Sequence, residues 1–327
     1  MEFKKDFVVA HLNSQEFHEK ALETFRYQYQ RNPVYHDFCV YLKKSPAHVS
    51  QLNEIPFLPI QFFKSKKVVA GNSKPEVIFT SSGTTGATTS KHYVSDVSLY
   101  EKSYMEAFTH FYGPVDDYCI LALLPSYLER EGSSLIYMID SLIKKSNHAK
   151  SGFYLNNLDE LKAHLQLLQE SERKVLLIGV SFALLDLATL IDFPLRNTIV
   201  METGGMKGRR KEMIRGELHA VLKNAFKVKK IHSEYGMTEL LSQAYSHGDG
   251  IFHCPPWMKV LIRDTEDPMS YQKFNKTGGL NIIDLANYNS CSFIATQDLG
   301  KCHRDGSFEI LGRFDHADVR GCNLMVL

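Results

Sequence analysis

The stretch around which this chain is organised reads Phe79-Thr80-Ser81-Ser82-Gly83-Thr84-Thr85-Gly86. The apolar, β-prone residues 77–79 lead into seven residues that are all threonine, serine or glycine. Such a segment has no side chain to bury, and its glycines permit backbone angles that other residues avoid. Its backbone N–H groups and hydroxyls together suit a polyphosphate. The alternative is a surface loop without a ligand, and this stretch alone does not decide between the two.

The overall composition limits the function classes. The chain has 327 residues, enough for one large domain or two ordinary ones, and 44% of them are hydrophobic. Thirty-eight basic and thirty-seven acidic residues leave a net charge of +1, so bulk electrostatics give no support to a nucleic-acid or membrane-surface role. We expect no membrane span and no signal peptide, because no apolar run is long enough. The six cysteines show no paired short spacing, and we expect them to be reduced in a cytoplasmic protein.

Helices and strands are predicted to alternate along the first part of the chain. Helical periodicity predicts helices over residues 14–30 (with Ser14 as the cap), 34–42, 95–111, 135–143, 158–170, 181–187 and 207–223. β-prone runs predict strands over residues 118–124, 175–179, 198–201 and 228–231. The proline-containing residues 55–64 are predicted to be extended rather than helical. This alternation predicts an α/β fold with mostly parallel strands, and its polar turns follow strand ends, where open α/β sheets bind ligands.

The character of the sequence changes after Pro255-Pro256. Short β-prone runs, which cover residues 260–262, 280–283, 292–296 and 308–311, then alternate with turns. We therefore expect an α/β core over residues 1–254 and a small β-rich subdomain over residues 255–327. No separate large lid domain is expected at the C-terminal end.

Three further polar turns carry chemistry. The segment Tyr235-Gly236-Met237-Thr238-Glu239 joins an aromatic ring, a hydroxyl and a carboxylate, which suit stacking on a base, bonding a phosphate oxygen and ligating Mg²⁺. A strand is expected before it and a helix after it. Asp298, expected just after a buried strand, can accept hydrogen bonds from a ribose diol, or can simply form a turn. Arg313 and Asp315 flank a fourth turn and by themselves indicate no more than a salt bridge.

In their order along the chain, these motifs resemble those of the adenylate-forming enzymes. The series consists of residues 81–86, Gly204-Gly205, residues 235–239, Asp298-Leu299-Gly300 and residues 312–315. Within that superfamily the chain looks most like the LuxE-type acyl-protein synthetases, which activate fatty acids in bacterial bioluminescence. The closer resemblance rests on a loop without the usual Pro-Lys-Gly after it and on four short stretches, residues 55–64, 124–130, 254–258 and 320–322. It implies a fold like the N-terminal domain of adenylate-forming enzymes.

The resemblance implies two cofactors, ATP and Mg²⁺. The β,γ-phosphates of ATP would be held by Ser82, Gly83, Thr84, Thr85 and Gly86. Gly204 and Gly205 would approach the adenine, and Tyr235 would stack on it.

The remaining motif residues would serve the ribose, the α-phosphate and the metal. Thr238 would contact the α-phosphate and Glu239 would bind Mg²⁺. Asp298 would hold the ribose hydroxyls, and Arg313 would contact the ribose or a phosphate.

Cys322 would be the acyl acceptor in this type of enzyme. Its neighbour Arg320 would favour the reactive thiolate, whereas the alternative is an idle cysteine. The expected partners are a small carboxylic acid, ATP, and an acyl-accepting reductase or carrier protein. Two other functions stay open: an acyl-CoA or acyl-carrier-protein ligase of the phenylacetate-CoA ligase type, and a non-catalytic partner that binds nucleotide or acyl chains.

One departure from the family concerns the lysine that full-length adenylate-forming enzymes supply from a C-terminal domain. Candidate replacements near the polar turns are Lys91, Arg130, Lys207, Arg209 and Arg210. The apolar residues 179–185 either line an acyl pocket or belong to the core. His92 and His232 border the motifs, and His253-Cys254 lacks the second pair that a zinc site needs.

Overall fold

The computed structural model describes residues 12–81, 88–126, 132–204 and 213–314. These ranges contain eight α-helices: α1 (Ser14–Arg31), α2 (Pro33–Tyr41), α3 (Phe62–Ser65), α4 (Val97–Tyr112), α5 (Ser134–Ser146), α6 (Leu158–Leu168), α7 (Ser181–Ala188) and α8 (Arg215–Phe226). Single 3₁₀ turns cover Leu52–Glu54, Val115–Asp117 and Leu285–Asn287. None of the helices in these ranges is long and apolar enough to cross a membrane.

The same ranges contain fourteen strands. They are β1 (Leu58–Pro59), β2 (Val77–Thr80), β3 (Lys91–Val94), β4 (Tyr118–Leu123), β5 (Gly152–Phe153), β6 (Lys174–Gly179), β7 (Thr198–Glu202), β8 (His232–Tyr235), β9 (Ala244–Ser246), β10 (Ile251–His253), β11 (Met258–Arg263), β12 (Gly278–Asp284), β13 (Phe293–Cys302) and β14 (Phe308–Arg313).

Twelve of these strands form one sheet. Its order is β11-β12-β13-β14-β10-β9-β8-β7-β6-β4-β5, and β1 pairs with β13. At one end of this order, β8, β7, β6, β4 and β5 are parallel to their neighbours. In the rest of the order, from β8 through β9, β10, β14, β13 and β12 to β11, every pair of neighbours is antiparallel. The remaining two, β2 and β3, form a separate antiparallel hairpin. The parallel half is the α/β arrangement that the sequence predicts. The division at residue 254 stays a prediction. Strand β10 lies before this residue and pairs with β14, which lies after it, so one sheet spans the predicted boundary.

The core extends along both halves of the sheet, and all seven residues of β12 in the antiparallel half are buried. All six residues of β4 are buried, as are five of the six in β6. Fully buried strands of this kind are expected where helices cover a parallel sheet. The polar strand ends are thereby held at one edge of a rigid scaffold.

The cap of the first helix lies one residue before the expected position. Its cap is Asn13, not Ser14: the Asn13 side chain accepts hydrogen bonds from the N–H groups of Gln15 and Glu16. The Glu16 carboxylate accepts one from the Asn13 N–H in return, which is the reciprocal capping box. The expectation for residues 55–64 was also partly wrong, because Phe62–Ser65 forms the short helix α3. It begins after the second proline, where nothing prevents a helical turn.

Two expectations around the Tyr-Gly turn were wrong. The strand lies at His232–Tyr235 rather than at residues 228–231, because β8 pairs with β7 through Met201 with His232 and Glu202 with Ser233. Pairing in the sheet outweighs the β-propensity of the preceding residues. No helix follows the turn; β9 returns antiparallel to β8 instead.

Asp298 lies inside a strand rather than after one. The ten-residue β13 alternates buried and half-buried residues through Cys302, and it buries Thr296 and Asp298 on the same face. The sequence favoured a strand end at residue 296 because polar residues follow. The alternation shows that these polar side chains belong to the strand.

Candidate active site

Strand pairing brings the ribose and base candidates together. β13 and β14 place Asp298 opposite Arg313, and Arg313 Nε donates to Asp298 Oδ1 at 3.0 Å. The hydroxyl of Tyr235, at the end of β8, donates to Asp298 Oδ2 at 2.7 Å. Burial, followed by the Asp298 carboxylate, raises the pKa of Tyr235 well above its ordinary value, so the phenol remains a donor. Both carboxylate oxygens of a buried aspartate are thus held in place by side chains from two other strands.

Asp298 and its partner Arg313 differ in exposure. The Asp298 side chain is 8% exposed, whereas that of Arg313 is 77% exposed. A buried carboxylate needs its hydrogen bonds, but the exposed guanidinium is free to turn toward a ligand at little cost. The arrangement suits a fixed ribose acceptor beside an adjustable cation.

Gly204 forms the turn that follows β7. Its φ of +73° lies in the left-handed region, which favours glycine, and no described residue comes within 4 Å of the place where a Cβ would lie. The Gly204 N–H donates to Glu202 Oε2 at 2.6 Å. The turn therefore has bare backbone at this position, which suits a close approach to a flat base. Gly205 lies outside the described residues.

Glu202 holds this turn from below. Arg215 Nε donates to Glu202 Oε1 at 3.3 Å, and His219 Nε2 lies 3.6 Å from the same oxygen. Burial raises the pKa of Glu202, but the contact with His219 and the charge of Arg215 outweigh it, so the pKa lies below its ordinary value. Glu202 is therefore a charged support for the Gly204 turn.

A cavity of about 410 Å³ lies against the first turns of α8. It shares Arg215 and His219 with the Glu202 network, and Lys223, Asp249 and Glu309 also line it. Its lining mixes both charges. Of the candidate ATP residues that the structure describes, none lines this cavity.

Glu239 is the candidate metal ligand. The residue is 5% exposed, and burial raises its pKa, against the hydrogen bond from Ser90 and the charges of Arg313 and Lys64. A buried carboxyl with a raised pKa gains from a nearby cation, which favours its charged form. Mg²⁺ commonly binds one or two protein carboxylates together with substrate phosphates. The residues present therefore fit Mg²⁺ that arrives with ATP.

No ready-made metal cage is needed for this role. In the described ranges no three His, Cys, Asp or Glu side chains converge as a metal site. His253 is exposed and lies in β10. These observations give no support to a structural zinc site at His253-Cys254.

The β2–β3 hairpin flanks the candidate phosphate loop. The Ser90 N–H donates to Ser81 Oγ at 2.9 Å, and the Ser81 N–H donates to the Ser90 carbonyl at 3.1 Å. These bonds hold the two ends of the loop together. Ser82, Gly83, Thr84, Thr85 and Gly86 themselves lie outside the described residues, as does Cys322.

The hairpin also contacts the Thr238–Glu239 turn. His92 Nδ1 lies 2.8 Å from the Thr238 carbonyl oxygen, and Nε2 lies 3.0 Å from Asn287 Oδ1. Asn287 Nδ2 donates to the Glu239 carbonyl at 2.7 Å. The sequence identified His92 as a neighbour of the site. Asn287 carried no signal, because it lies 48 residues from Glu239.

The choice among the candidate replacement cations stays a prediction. Lys91 is exposed at the loop end of the hairpin, and Arg130, Lys207, Arg209 and Arg210 lie outside the described residues. Among the residues that the structure describes, Lys64 and Arg313 have charges that lower the pKa of Glu239. Lys64 could have been found from its place in the stretch 55–64 that carries the family resemblance.

The junction at residues 179–185 packs as core. A Cβ on Gly179 would lie 2.7 Å from Leu123 Cβ, and the side chains from Ser181 to Leu185 are all buried. The described cysteines Cys39, Cys119, Cys254, Cys291 and Cys302 are free thiols. An acyl-pocket role for this junction stays a prediction.

This geometry can be compared with known proteins. The family model described as "Acyl-protein synthetase, LuxE" matches residues 9–327. The chain belongs to this family. It is therefore a ligase, as the sequence predicts, while no curated protein matches it.

Solved structures show which fold the LuxE-family chain has. It is similar to 2-hydroxyisobutyryl-CoA ligase in an open conformation with 2-HIB-AMP and CoA, at 13% identity and a TM-score of 0.69, covering 94% of this chain and 77% of the other. The same ligase in the thioesterification state gives 14% identity and a TM-score of 0.70, covering 94% and 70%.

ATP-bound MatB from Rhodopseudomonas palustris gives 16% identity and a TM-score of 0.52, covering 72% of this chain and 47% of the other. At these identities the likeness shows the fold, and the adenylate-forming α/β fold is confirmed. Family and fold together support activation of an acid through an acyl-adenylate.

Proposed function

We propose that this LuxE-family chain activates a fatty acid with Mg·ATP and then transfers the acyl group to its own Cys322. A partner reductase or a carrier protein would take the acyl group from there. The observation that carries the proposal is the hydrogen-bonded set Tyr235, Asp298 and Arg313, which lies on the strands and turn that also hold Thr238 and Glu239. These are groups suited to a base, a ribose, a phosphate and a metal at one edge of the sheet.

In the first step a carboxylate oxygen of the acid attacks the α-phosphorus of ATP. The bond from that phosphorus to the bridging oxygen breaks, and pyrophosphate leaves. Thr238 contacts the α-phosphate, Asp298 holds the ribose, and Tyr235 and Gly204 bound the adenine. Gly205 and residues 82–86 complete the site, with the loop holding the β,γ-phosphates. Donors fixed before the reaction stabilise the charge that develops on the phosphate oxygens.

Mg²⁺ bound at Glu239 would neutralise part of the phosphate charge. ATP as the nucleotide is supported by the fold shared with MatB, whose structure contains ATP. Lys64 and Arg313, whose charges already reach Glu239, would supply positive charge beside the phosphates.

In the second step the Cys322 thiolate attacks the carbonyl carbon of the acyl-adenylate. The carbon–oxygen bond to AMP breaks, AMP leaves, and a thioester forms on the protein. A reduced thiol and a supply of ATP suit the cytoplasm, where we place the reaction.

A second candidate function is transfer to CoA or a carrier protein. The similar 2-hydroxyisobutyryl-CoA ligase structures contain CoA, which favours this alternative over others. It shares the first step and differs in the acceptor.

ATP–pyrophosphate exchange and acyl labelling distinguish these functions. Wild-type protein should exchange pyrophosphate with at least one acid of a chain-length series and retain label from that radioactive acid. Cys322→Ala should lose the label and keep the exchange, whereas Cys254→Ala, a change at another free thiol, should keep both.

Each other outcome selects a different function. Label that persists in Cys322→Ala contradicts the acceptor assignment. Label that appears only on added CoA supports the ligase alternative. A protein that binds ATP but exchanges with no acid of the series contradicts the proposed fatty-acid activation.

A further inference from the structure

The polar contacts between the β2–β3 hairpin and the Thr238–Glu239 turn form a connected set, which we call the His92–Asn287 clamp. His92 and Asn287 are both fully buried. One contacts the carbonyl of Thr238 and the other the carbonyl of Glu239, at 2.8 and 2.7 Å. Successive backbone carbonyls are therefore held by two side chains that also contact each other at 3.0 Å.

The proton on His92 is assigned by its surroundings. Burial lowers the pKa of His92 to about 4, so at neutral pH one ring nitrogen carries a proton. The shorter contact, from Nδ1 to the Thr238 carbonyl oxygen, is the hydrogen bond that this proton makes. Nε2 then faces Asn287 Oδ1 as one acceptor against another, so the two side chains touch there without a hydrogen bond. Removing this donor would leave a buried carbonyl without a hydrogen bond, which would lower the free energy of unfolding by about 1–3 kcal/mol.

A side chain two residues away on the hairpin acts on the same turn. Ser90 and His92 are both buried and alternate with exposed Lys91, as residues on one face of a strand do. Ser90 lies close enough to the Glu239 carboxyl to lower its pKa, and the Ser90 N–H donates to Ser81 Oγ at the opposite end of the loop. The hairpin thus acts on the turn at two places, the Thr238 backbone carbonyl and the Glu239 carboxyl group.

Asn287 completes the set from a different part of the chain. It belongs to the 3₁₀ turn Leu285–Asn287, which the buried Asp284 side chain caps through the Ala286 N–H. Asp284 also accepts from the Leu241 N–H at 2.7 Å. The side chain of Asn287 is consequently presented from a fixed backbone.

We propose that His92 and Asn287 are positioning residues for adenylation, which hold the Thr238 and Glu239 backbone in a fixed place relative to the hairpin that carries the phosphate loop. This inference rests on the proposed function and deepens it. Neither side chain needs to touch ATP. They act by keeping the α-phosphate contact and the metal ligand in register with β2 and β3, and a displacement of about 1 Å at such groups can cost about 100-fold in rate.

Paired substitutions at position 92 separate hydrogen bonding from packing. Leu and Asn have similar size, and both lose the ring that packs edge-on against Phe63. Asn retains an N–H near the position of Nδ1, whereas Leu has no donor. We expect His92→Leu to lower kcat for pyrophosphate exchange roughly 10–100-fold and His92→Asn to lower it by less than about 5-fold.

A matched pair of amides tests the other half of the clamp. Asn287→Ala removes the side-chain donor to the Glu239 backbone carbonyl. Asn32→Ala removes an equally buried amide that donates to the Ser290 carbonyl at 2.9 Å. Both lose a buried hydrogen bond, but only Asn287 contacts the turn. Asn287→Ala should lower exchange at least about 10-fold, and Asn32→Ala should lower the melting temperature without that loss.

A binding measurement makes the test independent of catalysis. Calorimetry gives the ratio of the Kd for ATP in EDTA to the Kd for Mg·ATP, which reports how well Glu239 is placed for the metal. This ratio should fall in His92→Leu and Asn287→Ala, and stay near the wild-type value in His92→Asn and Asn32→Ala.

The possible results are decisive in both directions. Equal ratios for His92→Leu and His92→Asn would show that the ring only packs and would overturn the proposal. If His92→Leu fails to fold, the comparison of Asn287→Ala with Asn32→Ala decides it. A wild-type protein that binds Mg·ATP but does not exchange contradicts the proposed function, while the ratios still test the clamp.

Discussion

Replacing Glu234 with Gln should remove a loss of stability that the wild-type protein shows as the pH rises through the neutral range. Glu234 lies on β8, and its charge reaches the buried Tyr100 and Tyr245. Burial, and secondly the charge of Glu202, raises the pKa of Glu234 to about 8. The native protein therefore holds this carboxyl protonated at neutral pH. The unfolded chain does not, because its glutamate has an ordinary pKa near 4.5.

The sign and size of the effect follow from proton linkage. Between pH 4.5 and pH 8 the folded state binds one proton more at Glu234 than the unfolded state, so the free energy of unfolding falls as the pH rises. The slope is at most about 1.4 kcal/mol per pH unit. Above pH 8 both states are ionised and the contribution is constant.

Buried histidines oppose this trend only at lower pH. Burial lowers the pKa of His92 and that of His232 to about 4 from an ordinary value of 6.5. Their unfolded forms bind the extra proton, so they make stability rise with pH up to 6.5. Between pH 6.5 and pH 8 Glu234 therefore dominates, and the fall should be about 1.5–2 kcal/mol.

Urea unfolding at several pH values in this range measures the effect. Wild-type stability should fall with pH, and Glu234→Gln should be flat. Asp284→Asn is the matched control: burial raises the pKa of Asp284 to about 6, so its titration ends below the range and the wild-type slope should remain. Parallel curves for wild type and Glu234→Gln would refute the reasoning, because the carboxyl would then be ionised in both states.

Two other predictions concern stability at the site. Gly300→Ala would place a Cβ 2.1 Å from the Glu309 carbonyl oxygen, so we expect a loss of roughly 2–4 kcal/mol in urea unfolding; Gly216→Ala, where a Cβ meets nothing within 4 Å, should lose none. Asp298→Ala leaves the Tyr235 hydroxyl without its acceptor and should cost about 1–3 kcal/mol, whereas Arg313→Ala removes an exposed partner and should cost less than about 1 kcal/mol. Equal losses from these last two changes would contradict the view that Tyr235 is the buried partner.

The helices and the parallel strands were predictable because each carries its own pattern. Helix α4 was expected over residues 95–111 and lies at Val97–Tyr112, since its apolar residues recur at helical spacing. Strand β4 was expected over residues 118–124 and lies at Tyr118–Leu123. In both, the side chains that fix the element lie within it.

The errors arise where distant pairing decides the local structure. β8 contains His232 and Glu234, which are poor indicators of a strand, and exists because β7 and β9 pair with it. β13 continues past residue 296 because β14 pairs with Asp298 through Cys302. No single window of sequence contains these partners.

The residue types of the candidate site and their order along the chain were predictable, but the hydrogen bonds between them were not. Tyr235, Asp298 and Arg313 were named separately, with adenine stacking carried over for Tyr235, a ribose contact for Asp298, and a ribose or phosphate contact for Arg313. Their mutual hydrogen bonds depend on a register between three strands. The same reason hides Asn287, whose partners lie 195 and 48 residues away in His92 and Glu239.

The alternation of β3 restricts which changes of length the chain can accept around the candidate phosphate loop. Because Ser90 and His92 share the inward face, deleting one residue within the strand would turn Lys91 and Tyr93 toward the Thr238–Glu239 turn instead. Insertions between residues 82 and 89 leave that parity intact. We therefore expect changes of length to be accommodated in the loop, because a change of one residue within the strand would exchange its two faces.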